Sequence, residues 1–243
     1  DELEGRVRAG WESGPGYKLQ GTLSGPVGES DTLKFRAAVS YKDSDGYIDN
    51  DFLGTEADPY KDFSGRVKLL YQPNDTFSAD FRASFSNLEG GALYYQIRSP
   101  LPDIGFGLPA SLGRGNGDPN SVNDTSELVR NNNQGINDRD LVNVSLKLDW
   151  NTDLGTFTSI SSYDTMEELL TGDAFDFLPI PESIGVAFGF PDQNQSQYLD
   201  LETFSQEFRF TSSAENRTRW IVGAYAITTD RFIGTGAMVD TGA

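Results

Sequence analysis

The clearest feature of the chain is a period-two alternation of apolar and polar residues between positions 63 and 88. In its second half Phe77, Phe81 and Phe85 fall on one set of positions, while Asp80 and Arg82 fall on the other. Successive side chains of a β-strand point to opposite faces of a sheet. The pattern therefore predicts two strands joined by a tight turn at 72–75, with one apolar, aromatic face and one charged face.

The same alternation recurs along most of the sequence. Further strands are predicted within 3–12, 17–24, 33–42, 142–150, 156–166, 204–211 and 220–228, and residues 231–243 are expected to begin another. The run at 156–166 is rich in Ser and Thr, so its facing is unclear. Most runs approach the roughly 9–11 residues that a tilted transmembrane strand needs. About nine or ten antiparallel strands are predicted.

The connections between these strands alternate in length. Short turns are predicted at 72–75, 151–155 and 212–217, and long loops at about 90–138 and 167–202. In a chain of antiparallel neighbours, all short turns then lie at one end and all long loops at the other, as in outer-membrane barrels. We therefore expect an all-β, antiparallel, up-and-down transmembrane β-barrel, of which residues 1–243 form a part.

Composition removes several classes of function. The 243 residues include neither Cys nor His, which excludes disulfides, Ser-His-Asp triads and the usual zinc ligands. A net charge of -18 argues against nucleic acid as a partner. No apolar run reaches the length of a membrane helix, and the glycines at 113, 115 and 117 lie in a polar loop rather than between a strand and a helix. We predict no enzymatic activity, no cofactor and no metal site.

Basic residues predominate on the predicted charged face, although the chain as a whole is acidic. One interpretation is a pathway that attracts an anionic solute. The other is that these side chains pair across strands. The charged-face residues are Lys18, Lys34, Arg36, Arg66, Lys68, Arg82, Lys147 and Arg209, with Asp80, Asp149 and Glu207. The candidate ligand-binding residues are Arg36, Arg66, Lys68, Arg82 and Arg209, together with Tyr94 and Tyr95 in the long loop.

A cluster of acidic residues follows the third predicted strand. Asp43, Asp45, Asp49 and Asp51 begin with an Asp-x-Asp-Gly sequence of the kind found in calcium loops. The remaining ligand spacing does not fit that pattern. We therefore expect acidic side chains on a solvated surface.

Four stretches of the chain resemble the β-barrel of TonB-dependent outer-membrane receptors. They are LQGTLSGPV at 19–27, YKDSDGYIDN at 41–50, GRVKLLYQP at 65–73, and FSQEFRF at 204–210 with WIVGAY at 220–225. The resemblance implies a barrel of about 22 strands, filled by an N-terminal plug that couples it to the TonB complex and that offers the charged-face residues a second set of pairing partners. The sequence carries no plug or TonB-contacting segment, and nine or ten strands cannot close such a barrel, so we expect the first part of the barrel only.

The function implied by this resemblance is active uptake of a scarce nutrient across the outer membrane of a Gram-negative bacterium. The expected partners are outer-membrane lipid, the TonB complex through the plug, and a small nutrient or metal chelate such as a ferric siderophore. A second hypothesis is a secreted or periplasmic β-sandwich that binds or cleaves glycans. The two hypotheses differ in where the apolar side chains point. In a sandwich, Phe77, Phe81 and Phe85 would pack against a second sheet.

Overall fold

A computed structural model describes residues 2–13, 15–29, 31–91, 128–174, 186 and 188–240. These residues form twelve strands in two sheets. The strands are β1 (Glu4–Glu12), β2 (Gly16–Pro26), β3 (Leu33–Ser44), β4 (Asp49–Asn50), β5 (Thr55–Glu56), β6 (Tyr60–Asn74), β7 (Phe77–Gly90), β8 (Leu128–Val129), β9 (Ile136–Thr152), β10 (Gly155–Asp173), β11 (Gln193–Ser212) and β12 (Ile221–Val239).

The main sheet is an up-and-down antiparallel meander, as the sequence predicts. Its order is β1-β2-β3-β6-β7-β9-β10-β11-β12, so each long strand pairs with the next long strand along the chain. All eight pairings are antiparallel. Within the described part of the chain the outer edges of β1 and β12 have no strand partner, so the sheet is open.

The sheet has one end with short turns and one end with longer connections. Backbone hydrogen bonds join neighbouring turns at the first end: Gln72 N donates to Thr32 O over 2.7 Å, and Asn151 N donates to Thr76 O over 2.7 Å. At the opposite end, called the loop end below, Asn132 Nδ2 donates to Asp240 Oδ2 over 2.8 Å. The connection between β1 and β2 is an exception, because it is short although it lies at the loop end.

The strands in the second half of the chain are longer than the alternation predicts. β10 continues to Asp173 and β11 begins at Gln193, so their connection is 174–192 rather than 167–202. Residues 221–239 form a single strand instead of two. These extensions carry polar residues on both faces and so show no apolar-polar alternation. Each extension nevertheless keeps its backbone hydrogen bonds to the neighbouring strand.

A small second sheet lies within the connections at the loop end. β4 pairs antiparallel with β5 and parallel with β8, so the connection after β3 is joined to the segment that precedes β9. The sequence predicts an acidic connection for 43–62 and no strands within it. These pairings span only two residues each, which is too short for an alternation to be visible.

The main sheet has almost no apolar core. Among the described residues the buried hydrophobic side chains are Ala57, Leu88, Val129 and Ala174. Phe85, which a sandwich would bury, is 42% exposed. No second sheet covers the aromatic face in the part of the chain that the structure describes. The same residues include no helix long and apolar enough to cross a membrane.

Gly155 is required by the turn between β9 and β10. Its φ is 146°, and a Cβ atom added there would lie 2.1 Å from the backbone oxygen of Thr211. We predict that Gly155→Ala destabilises the folded chain by about 2 kcal/mol or more, because it combines backbone strain with a backbone clash. Urea unfolding in detergent measures this. Gly10→Ala is the control, since nothing lies within 4 Å of its added Cβ. Equal midpoints for the two variants would contradict the prediction.

Candidate functional site

The register of the main sheet separates its side chains into one apolar and one polar face. A single cross-strand row of the apolar face contains Leu23, Ala37, Val67, Ala83, Val144, Tyr163 and Phe204. Val67 and Phe204 are 42% and 46% exposed. A continuous apolar surface of this extent is unusual on a water-exposed protein and marks contact with a protein or a membrane.

Aromatic side chains flank this apolar face at both ends. Near the turns, the ring centroids of Phe210 and Trp220 are 5.6 Å apart and those of Phe157 and Phe208 are 6.1 Å apart. Toward the loop end, the Phe63 and Phe85 centroids lie 5.2 Å apart. Aliphatic residues such as Leu23 and Val67 lie between them. Two aromatic girdles around an aliphatic band are typical of the lipid-facing surface of a transmembrane barrel.

The apolar face ends abruptly at a row of carboxylates. On β9 its members run from Trp150 to Val142, and the next residue on the same face is Asp140. Asp140 pairs with Glu167 of β10, which pairs with Asp200 of β11. Nine residues of extended strand span roughly 30 Å, or roughly 20–25 Å once tilted by 35–45°, which matches the height of a lipid-facing band. The strands therefore continue past this band toward the loop end.

The polar face is concave and encloses a depression of about 970 Å³. Residues from β1, β2, β3, β6, β7, β9, β10 and β11 line it. Many are short and polar, such as Thr22, Ser40, Ser64, Ser84 and Ser86. In this depression, called the concave site below, small side chains leave room for a ligand.

The structure distinguishes two kinds of basic residue among the predicted candidates. Asp80 pairs with both Lys68 and Arg82 at 2.9 Å, and Glu207 pairs with Arg209 at 3.2 Å. Arg36 and Arg66 line the concave site and form no ion pair within the described residues. Ion pairs within the sheet thus account for three of the five basic candidates: Lys68 pairs across two strands, as the sequence left open, whereas Arg82 and Arg209 pair with carboxylates of their own strands. The charges of Arg36 and Arg66 have no acidic partner among the described residues.

Two arginines that were not among the candidates line the same site. Arg6 and Arg8 lie on β1 and form no ion pair with the described residues. In β1 these two arginines alternate with Val7 and Ala9, so the sequence pattern already predicts that their side chains point to the polar face. The predicted Tyr94 and Tyr95 lie outside the described residues, and their role stays a prediction.

The acidic residues after β3 have structural roles at the loop end. Asp58 Oδ1 accepts hydrogen bonds from the backbone N–H groups of Tyr47 and Ile48, each over 2.8 Å. Asp51 pairs with Arg130, and the buried Asn50 donates to the backbone oxygen of Asn131 over 2.9 Å. In the described ranges no three acidic residues are arranged to hold a metal ion. These contacts join the loop after β3 to the segment before β9.

Comparison with known proteins identifies the fold. No protein-family model matches the sequence. The chain superposes on the ferric yersiniabactin uptake receptor FyuA from Yersinia pestis with a TM-score of 0.69 and 17% identity, covering 99% of this chain and 33% of that one. For the pyoverdine outer membrane receptor FpvA from Pseudomonas aeruginosa PAO1 the TM-score is 0.65, with 18% identity over 96% of this chain and 31% of that one.

A third similar structure is the copper transporter OprC, with a TM-score of 0.56 and 15% identity. The match covers 96% of this chain and 29% of OprC. The chain thus spans about a third of the receptors that it resembles. At these identities the likeness establishes the fold, which is the antiparallel β-sheet of an outer-membrane receptor barrel, left open in this chain.

Glu56 makes the small sheet at the loop end sensitive to pH. It lies directly opposite Asp49, and its pKa is raised by burial and then by the charge of Asp49 and a hydrogen bond with it, with smaller contributions from Asp58 and Asp45. A raised carboxyl pKa means that the charged form costs more in the folded state. The small sheet should therefore gain stability as pH falls from neutral through this pKa.

We predict that Glu56→Gln stabilises the small sheet at neutral pH and removes most of this pH dependence. Amide hydrogen exchange of residues 48–57 measures the effect, once corrected for the intrinsic exchange rate at each pH. Glu29→Gln, at an exposed turn on the other end of the sheet, is the control. An unchanged pH dependence in Glu56→Gln would show that another group is responsible.

Proposed function

We propose that this chain is part of a TonB-dependent active transporter that takes up a scarce nutrient across the outer membrane of a Gram-negative bacterium. The observation that carries this proposal is the exposed apolar face, bounded by aromatic residues at both ends and by the Asp140, Glu167 and Asp200 row at one of them. Such a surface is stable only in contact with hydrocarbon or with another apolar surface.

The concave site supports transport of an anionic solute. Arg36 and Arg66 line it without an acidic partner among the described residues, so their charge is free to attract an anion along the inner wall. FyuA and FpvA are described as receptors for ferric yersiniabactin and pyoverdine, and OprC as a copper transporter. We therefore propose a ferric siderophore or another metal chelate as the solute.

Energy for uptake would come from the TonB complex, acting through a plug inside the closed barrel. The unpaired edges of β1 and β12 support closure of the barrel, because strands in a membrane need a hydrogen-bonding partner on both sides, whereas the coupling to TonB rests on the likeness to outer-membrane receptors. Further strands of the same protein would supply those partners. No catalytic role is proposed for any residue of the chain.

The alternative of a glycan-binding or glycan-cleaving sandwich has less support. A sandwich needs a second sheet over its apolar face. In the described part of the chain, the only other sheet is the three-stranded one at the loop end, whose strands have two residues each. Phe63, Phe85 and Phe208, each more than 40% exposed, would then have no apolar contact surface.

A pair of neighbouring residues on β9 tests which face meets lipid. Val144 lies on the apolar face, and Ser145 lies on the polar face. We expect Val144→Arg to destabilise the membrane-inserted protein by about 2–4 kcal/mol, whereas Ser145→Arg should have little effect. Urea-induced unfolding from phosphatidylcholine vesicles gives both values. If the two substitutions cost the same, or if the protein stays soluble and monomeric without lipid, the transporter proposal is wrong.

A further inference from the structure

We infer that the concave site binds an amphiphilic organic anion, meaning a small molecule that carries an acidic group on an apolar body. Four arginines, Arg6, Arg8, Arg36 and Arg66, would hold the acidic group, and an apolar patch formed by Leu141, Met166 and Leu201 would hold the body. This inference rests on the proposed function, because it takes the concave face as the route of the solute. It goes further by naming the chemical class of ligand that the concave site binds.

The arginines form one basic patch across four strands. In the backbone register of β3 and β6, Arg36 lies opposite Lys68, which is two residues from Arg66. The Arg36 and Arg66 side chains are therefore diagonal neighbours, about 7–8 Å apart at their base. Arg6 lies on the same cross-strand row as Arg66, separated by Thr22 and Ala38, which corresponds to about 14 Å. Guanidinium groups at this spacing can reach one anionic group between them and bind it by paired hydrogen bonds.

Few acidic side chains counter this patch. The acidic residues that line the concave site are Glu4 and Asp164. Asp164 accepts hydrogen bonds from Asn143 and from Ser162, the latter over 2.8 Å, and lies on the row of Arg66, three strands away on β10. In a chain with a net charge of -18, four arginines against two lining carboxylates, of which Asp164 already accepts two hydrogen bonds, favour a negatively charged group at this wall.

The apolar patch is a run of three adjacent apolar residues on a face where other apolar residues, such as Leu70 and Ile160, lie between polar or charged neighbours. Leu141, Met166 and Leu201 occupy one cross-strand row on β9, β10 and β11, at positions where the alternation mostly places polar residues. All three are only half-buried, so they remain partly in contact with water. Adjacent exposed apolar side chains on a polar wall favour an apolar ligand, because binding removes their surface from water.

The two halves of the site are close enough for one small molecule. Arg66 and Leu141 are separated by β7, where the intervening residues are the small Ser84 and Ser86. Two strand spacings and a two-residue offset place their backbones about 12 Å apart. The arginine side chain shortens this gap further. A depression of about 970 Å³ is at the upper end of the sizes found for small-molecule sites.

Equilibrium dialysis of the protein in phosphatidylcholine nanodiscs tests this inference with three probes. The first, 2-naphthoate, has both an acidic group and an apolar body; 2-naphthalenemethanol has only the apolar body; citrate has only acidic groups. Empty nanodiscs give the background of each probe. We expect 2-naphthoate to bind at least about tenfold more tightly than either of the others, because only it uses both halves of the site.

Two sets of variants assign the binding to the two halves. Arg6→Gln/Arg36→Gln/Arg66→Gln should weaken 2-naphthoate binding at least about tenfold and leave 2-naphthalenemethanol unaffected. The control Lys42→Gln/Lys61→Gln/Lys147→Gln removes the same charge from lysines that are ion-paired outside the site, and should change little. Leu141→Ser/Leu201→Ser should weaken both naphthalene probes, whereas Leu70→Ser/Ile160→Ser, on the same face but outside the site, should not.

The outcomes separate this inference from the proposed function. The single variant Arg66→Gln should weaken 2-naphthoate binding severalfold, which keeps the test valid if the triple variant fails to fold. If the protein inserts into nanodiscs but the arginine and lysine variants bind 2-naphthoate equally, the inference is wrong and the proposed function stands. Citrate binding as tight as that of 2-naphthoate would also overturn it. Failure of the full-length protein, with the further strands that close its barrel, to insert would overturn both.

Discussion

The structure depends on one constraint, the pairing of every long strand with its neighbour by backbone hydrogen bonds. A strand that meets hydrocarbon cannot satisfy its N–H and C=O groups with water, so it must pair on both sides. Seven of the nine long strands do so within the described residues, and β1 and β12 do so on one side. The same pairings fix the register. A slip of one residue would turn every side chain of a strand to the opposite face.

The main sheet lacks the apolar core of a soluble domain, so contacts between side chains in register on neighbouring strands take its place. The few buried hydrophobic residues of the described chain lie near the loop end, and Ala57 and Val129 belong to the small sheet or its flank. Among the residues that the structure describes, none forms a protein layer over the aromatic face. Folding of such a sheet therefore draws on backbone hydrogen bonds, on cross-strand contacts such as that between Phe63 and Phe85, and, in the proposed transporter, on lipid against the apolar face.

The distribution of charge follows from the same geometry and links the fold to the proposed transport. Where acidic and basic residues lie next to each other on the polar face, they form ion pairs, as Asp80 does with Lys68 and Arg82. Arg66 lies between Ala38 and Ser84, and Arg36 lies between Ser24 and Lys68, so neither arginine faces a carboxylate on a neighbouring strand. One wall of the concave site is thus basic in an otherwise acidic chain, and the apolar row on β9, β10 and β11 lies across from it.

The sequence by itself determined the antiparallel meander, the separation of short turns from long connections, and the facing of most strands, because a period of two leaves a direct trace in the order of residues. It also placed Arg36, Arg66 and Lys68 on one face. Only the tertiary structure decided which of these charges are paired, since that depends on the register between neighbouring strands, and the register of β6 and β7 shifts next to their turn. It also decided the full length of β10, β11 and β12 and the joining of the loop after β3 to the segment before β9. In those regions polar residues occupy both faces or the pairings are two residues long, so the sequence shows no period-two alternation from which a strand could be predicted.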